Sequence, residues 1–171
     1  IFTSAFRNYK KTNYVYKKYI NKMKKIALIG GAGFIGHNLA LKLKKRGHKV
    51  LIIDGLNVNN ILSIIDPSIT NKKLYFEMLN QRINLLNQNK IELVVQDARN
   101  YFALTSLVNK FNPDVIVHLA AVSHANKSNK DPHSTFDHSL RTLENALDIA
   151  RSKKTHFIYL SSSMVYGDFK K

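Results

Sequence analysis

Apolar residues recur along the chain in short continuous runs that alternate with stretches of helical period. Ile26 to Ile29 is one such run, the pattern of a strand buried on both faces. It passes directly into Gly30-Gly31-Ala32-Gly33-Phe34-Ile35-Gly36. Phe34, Ile35, Leu39, Leu41 and Leu43 then predict a helix to about Arg46, with Gly47 as its stop. Lys49 to Ile53 reads as a second strand that ends at Asp54. Leu74, Met78, Leu79, Ile83 and Leu86 predict a helix over residues 71–87, whereas residues 57–70 are mixed and broken by Pro67. Ile91 to Gln96 is a third strand, ending at Asp97, and Tyr101 to Phe111 a helix punctuated by Pro113-Asp114. Val115 to Leu119 is a fourth strand. Pro132 to Ser152 predicts one long helix with Leu140, Leu143, Leu147 and Ile149 turned inward, and His156 to Leu160 is a fifth strand.

Strands alternating with helices predict an α/β fold, a doubly wound parallel sheet. Right-handed crossovers put every strand C-terminus on one edge. That edge collects Gly30, Asp54, Asp97, Leu119 and Leu160, and it is where ligands bind in such sheets.

The glycine turn narrows the ligand. Gly31, Gly33 and Gly36 fit G-x-G-x-x-G, while Gly30, Gly33 and Gly36 fit G-x-x-G-x-x-G. A pyrophosphate sits against backbone N–H groups at a helix N-terminus, where the dipole favours negative charge. A side chain at the turn would hold it away, and a β-carbon at Gly36 would hold the helix off the strand. Such a match is weak alone, but here it lies between a strand and a helix. Asp54 follows the second strand, about 20 residues past the glycines, where a carboxylate holds the ribose hydroxyls. It would accept from both hydroxyls and repel a 2′-phosphate, which favours NAD over NADP.

Composition limits the remaining choices. There is no cysteine, which excludes disulfides, thiolate zinc sites and cysteine nucleophiles. No apolar run approaches the roughly 20 residues of a membrane span, so the chain reads as a soluble, cytoplasmic protein with no membrane partner. The net charge of +16 suggests polyanions, yet eight of the 27 basic residues and none of the 11 acidic ones fall within residues 1–25. Nucleic acid is therefore the minor alternative. Residues 1–22 read as a basic extension outside the fold, with Met23 as the natural start, and residues 23–171 as the dinucleotide-binding domain. The first residue is Ile1 and the last lies just past the fifth strand, so the sequence reads as a fragment at both ends. The interval from Gly55 to Lys90 is an insertion that covers the adenosine end of a cofactor or contacts a neighbouring subunit, as in a homodimer. His124, His133 and His138 are close in sequence, but with no His-Glu-x-x-His and no paired carboxylate they are not read as a metal site.

Five stretches in order resemble the N-terminal half of an extended short-chain dehydrogenase/reductase, the NAD-dependent epimerase/dehydratase family acting on nucleotide sugars. They are Gly30-x-x-Gly33-x-x-Gly36, Asp54, Asp97-Ala98, His118-Leu119-Ala120-Ala121, and Ser161-Ser162-Ser163-Met164-Val165-Tyr166-Gly167. The resemblance covers about Met23 to Gly167. It implies a Rossmann domain whose substrate domain is truncated, with bound NAD and a nucleotide-sugar partner. Backbone around Gly30, Gly33, Phe34, Ile35 and Gly36 would hold the pyrophosphate. Asp97 would accept from the adenine amino group and Ala98 N–H donate to the ring, although Asp97 also suits a helix N-cap. Leu119, Ala120, Ala121 and Ser161 would pass beneath the cofactor, and His118 reads as a packed, hydrogen-bonded core histidine. Ser128 would reach substrate phosphate or the nicotinamide side, unless it is an ordinary loop serine; Ser163 would border the substrate.

Ser162 is the implied catalytic hydroxyl, five residues before Gly167, hydrogen-bonding the sugar oxygen being oxidised. The family's base is the tyrosine of a Tyr-x-x-x-Lys pair whose lysine lowers the phenol pKa from about 10. Tyr166 with Lys170 and Tyr14 with Lys18 have that spacing in the wrong places, so the base and most of the substrate domain are expected elsewhere. One departure stands out: His138-Ser139-Leu140-Arg141-Thr142 replaces the family's Asn-x-x-Gly-Thr. Ser163-Met164 stands where the family's sugar dehydratases show Asp-Glu, which favours an epimerase over a dehydratase or decarboxylase. A non-catalytic NAD-binding or regulatory module is the alternative from another class.

Overall fold

A computed structural model describes residues 22–58, 60–67, 69–122, 129–162 and 167. Five parallel strands form one sheet in the order β3-β2-β1-β4-β5: β1 (Lys25–Ile29), β2 (Lys49–Asp54), β3 (Glu92–Val95), β4 (Val115–His118) and β5 (His156–Tyr159). This is the doubly wound sheet that the alternation predicts. Ile53, Ile29, His118 and Tyr159 lie in one register row, so the strand C-termini form a level edge.

Each face of the sheet is covered by two helices, which is why β1 and β2 are apolar on successive residues. On one face Ala27, Ile29, Leu51, Ile53 and Ile116 pack against Leu104 and Val108 of α3 (Tyr101–Phe111) and Ala146, Ile149 and Ala150 of α5 (Thr142–Lys153). On the other, Ile26, Leu28, Val50, Ile52 and Val117 pack against Ala40 of α1 (Phe34–Lys45) and Leu86 of α2 (Lys72–Gln88). Asn71 and Asn100 cap α2 and α3 through their side-chain oxygens, and Asp131 caps α4 (Pro132–Phe136). Gly47 takes φ +81° after α1, with nothing within 4 Å of a β-carbon, so its backbone angle alone requires glycine.

Two expectations change. The mixed segment after β2 contains a 3-10 helix, Ile61–Ile65, capped by Asn60. The long helix over 132–152 is instead α4, a π-helical turn (Asp137–Arg141) and α5. The buried residues of α5 recur at regular helical spacing, and Leu147, two positions before buried Ile149, falls on the opposite side. Leu140 and Leu147, expected inside, are 52% and 45% exposed, while Thr142, Asn145, Ala146, Ile149 and Ala150 are buried. Asn145 is tolerated there because its amide donates to the Ala98 and Arg99 carbonyls at 2.9 and 3.0 Å.

Candidate cofactor cradle at the strand C-termini

The glycines of the β1–α1 turn serve different ends. Gly30 takes φ +77°, and a β-carbon there would stand 2.6 Å from Ala120 N. The backbones of the turn and of the segment after β4 thus touch. A β-carbon on Gly31 would meet Leu28 Cβ at 2.8 Å, and one on Gly36 would meet Gly31 O at 2.4 Å. Those three are glycine because the protein's own packing requires it. Gly33 differs. Its φ is −72°, and an added β-carbon would have only an ordinary 3.5 Å contact with Gly30 O. Among the described residues nothing needs Gly33 bare, so the open space beside it points to a ligand.

The helix that follows is left uncapped. Its first intrahelical bond runs from His37 N–H to Gly33 O at 3.1 Å, so the amides of Phe34, Ile35 and Gly36 precede the ladder. Among the described residues no side chain caps α1, and its first turn holds no acid. The contrast with α2, α3 and α4, each capped by Asn or Asp, is plain. The Phe34 and Ile35 side chains are 71% and 57% exposed, so these residues offer amides to a ligand rather than walls. An anion is the partner that such a terminus favours.

Asp54 ends β2 beside this turn. Its Oδ2 accepts from Ala32 N–H at 2.9 Å and its Oδ1 from Leu56 N–H at 2.8 Å. Burial pushes its carboxyl above the usual range, and those two amides partly offset the rise. Each oxygen keeps a lone pair, so two hydroxyl donors remain compatible with both bonds.

Asn60 was not singled out in the sequence. It is buried, and its amide donates to Ala32 O at 3.2 Å while its oxygen accepts from Ile61 N–H at 2.9 Å. Both backbone groups of Ala32 are therefore held by side chains, one from the end of β2 and one from just beyond it. The available signal was an Asn directly before a short apolar run, the pattern of a helix cap.

Asp97 lies beyond Asp54 along the edge. It is not the cap of α3, a place that Asn100 takes. Its two oxygens accept from the Arg99 backbone N–H and guanidinium, with Nη2 at 2.6 Å, and from Asn57 Nδ2 at 3.3 Å. Arg99 holds this carboxyl below the usual range and also pairs with Asp137. Asp137 in turn accepts from Arg141 Nε at 3.1 Å. Arg141, which departs from the family's glycine, thus joins an ion-pair chain that ties the π-helical turn to the end of β3. Ala98 is buried beside it.

His118 is packed as expected, 2% exposed, with the Phe157 and Tyr159 rings at 6.3 and 6.1 Å. The expected hydrogen bonding is incomplete: among the described residues its Nε2 has no partner. Burial lowers its pKa to about 4, so it is neutral. Leu119 N–H continues the ladder to Ile29 O at 2.8 Å. Leu119 and Ala120 are part-buried and Ala121 is exposed; Val122 N–H then donates to Ser139 Oγ at 3.1 Å. Ser161 and Ser162 are exposed past β5. Ser128 and Ser163 lie outside the described residues. So do residues 1–21 of the basic extension. Among the described residues there is no cluster of three or more His, Cys, Asp or Glu fit for a metal, and no helix long and apolar enough to cross a membrane.

The family model "NAD dependent epimerase/dehydratase family" matches residues 26–171. Protein CapI of Staphylococcus aureus is 32% identical over 144 residues, 84% of this chain and 39% of that protein. UDP-glucose 4-epimerase of Neisseria meningitidis serogroup B is 28% identical over 85% of this chain and 39% of the relative. The chain thus spans about 39% of the length of these relatives. Among solved structures, UDP-glucose 4-epimerase from Brucella ovis in complex with NAD superimposes with a TM-score of 0.67 at 21% identity, covering 86% of this chain and 38% of the other.

Proposed function

The chain belongs to the NAD-dependent epimerase/dehydratase family, and from that premise we propose that it is the cofactor-binding part of a nucleotide-sugar epimerase. The observation that carries the reading is the uncapped, acid-free start of α1 beneath a turn left bare at Gly33 and flanked by Asp54.

NAD fits these residues. The amides after Gly33 would hold its pyrophosphate, with Gly30 letting the turn lie close to the chain after β4. Asp54 would hold the adenosine ribose. Asp97 and Ala98 would border the adenine, with Leu119, Ala120, Ala121 and Ser161 beneath the nicotinamide half. Bound NAD supplies a reversible hydride acceptor. The protein's part is to bind, orient and hold protons: Ser162 would hydrogen-bond the sugar oxygen, and Ser128 and Ser163 would border the nucleotide sugar. The preference for an epimerase rests on the UDP-glucose 4-epimerase relatives and on Ser163-Met164. A dehydratase is the second reading, favoured by a relative from Dictyostelium discoideum, dTDP-D-glucose 4,6-dehydratase, which is 28% identical over 85% of this chain. The exposed Leu140 and Leu147 of the π-turn and α5 would suit a homodimer contact.

Calorimetric titration of the chain with NAD and NADP tests the cofactor assignment. Saturable binding with NAD preferred is expected, and no binding, or a preference for NADP, would overturn it. NMR of the products that the whole enzyme, of which this chain is the proposed cofactor-binding part, forms from a UDP-hexose distinguishes epimer from 4-keto-6-deoxy sugar.

A further inference from the structure

The insertion between β2 and β3 contributes a cation as well as the Asn60 clamp. We propose that Arg82 of α2 is a binding residue for the cofactor's diphosphate, brought to the start of α1 by the Phe34 ring; this rests on the reading of that helix end as the dinucleotide site.

The Arg82 guanidinium carbon stands 5.9 Å from the centroid of the Phe34 ring. Phe34 is the first residue of α1, directly after the bare Gly33. A helical Cα–Cβ bond leans toward the helix N-terminus, so this ring and the cation on it belong to the end where the amides are unpaired. Arg82 is well placed to stay there. It lies between Leu79 and Leu86 at helical spacing, and both are buried, so α2 presents it on its inward side and it is half-buried. Its partner is also telling. Among the described residues Arg82 forms no ion pair with a carboxylate, unlike Arg99, Arg141 and Arg151. An aromatic face holds a guanidinium without neutralising it. A positive charge is thereby left available beside amides that already favour an anion, and neither core cluster contains Arg82.

The test uses the full chain, Arg82→Met, which keeps a flexible apolar stem, and Arg82→Lys, which keeps the charge. Each is titrated with NAD, with ADP-ribose and with adenosine, at low and high salt. Arg82→Met is expected to weaken NAD and ADP-ribose by about threefold at low salt, less at high salt, because a half-exposed cation acts through a screened field. Adenosine, which lacks the diphosphate, keeps its affinity, and Arg82→Lys retains most of the binding of NAD. Unchanged affinity of Arg82→Met for NAD overturns the proposal while leaving the cofactor site standing. An equal loss for adenosine overturns it too, since that marks a packing effect. Failure of the unsubstituted chain to bind NAD or ADP-ribose removes the cofactor reading and Arg82's role together.

Discussion

Asp54 Oδ2 accepts a hydrogen bond from Ala32 N–H at 2.9 Å, across 22 positions of sequence. The carboxylate assigned to a ribose therefore also holds the glycine turn in shape. Asp54→Ala removes the acceptor for two amides, Ala32 and Leu56. The loss is expected to be about 1–3 kcal/mol of stability, from part-buried donors left unpaired, and at least tenfold in NAD affinity. Urea unfolding and calorimetry measure the two; NAD affinity equal to the unsubstituted chain would remove Asp54 from the site.

Gly30 and Gly33 separate folding from binding. Gly30→Ala places a β-carbon 2.6 Å from Ala120 N at φ +77°, and a loss of several kcal/mol, about 3 or more, is expected from overlap plus backbone strain. Gly33→Ala adds a methyl with room for it at φ −72°. Its stability is expected within about 1 kcal/mol of the parent, with a gain from the stiffer unfolded chain. NAD affinity nevertheless falls, because the methyl occupies ligand space. Thermal melts with and without NAD read both effects, and a Gly33→Ala chain that binds as well as the parent contradicts the cradle.

Asn60→Asp keeps the oxygen that accepts from Ile61 but turns a carboxylate oxygen toward Ala32 O, where an amide had donated. Two acceptors then face each other in a buried place. The expected cost is about 1–3 kcal/mol, with weaker NAD binding through the displaced turn. Asn60→Asp with the parent's urea midpoint and affinity would show that the clamp is idle.

His118 and Asp97 predict an acid-sensitive fold. The folded pKa of His118 is depressed from 6.5 to about 4. The unfolded chain therefore binds the extra proton, and stability falls as pH drops from about 6.5 toward 4, by about 3 kcal/mol in full. Asp97 is also depressed, by its Arg99 partner; its contribution is present above the ordinary carboxylate value and lost as pH falls below it. The two losses occupy successive windows. His118→Leu should flatten the upper one, seen in urea midpoints at about pH 5 and about pH 7.5; a midpoint as pH-dependent as the parent's would refute the assignment.

Much of this protein was legible in one dimension, because strands buried on both faces and helices with one apolar stripe leave local patterns. The five strands, Asp54 at the end of β2, Gly47 as a helix stop and the glycine turn are all features of neighbouring residues. The packing requirement on Gly36, set by the Gly31 backbone five positions earlier, is likewise local in cause, whereas that on Gly30 is set by Ala120 after β4. Only the tertiary structure decided the rest, since it depends on what residues far apart do to one another. The buried stripe of α5 runs through Thr142, Asn145, Ala146, Ile149 and Ala150, which leaves Leu140 and Leu147 to solvent, and Asn145 is held inside because it finds two carbonyls at the β3–α3 corner. Asp97 became one end of an ion-pair chain that runs through Arg99 and Asp137 to Arg141, and Asn60 a clamp on Ala32. Apolar periodicity records burial along an element; it holds no record of which distant polar group will meet which, and that pairing shapes the edge where the cofactor is proposed to lie.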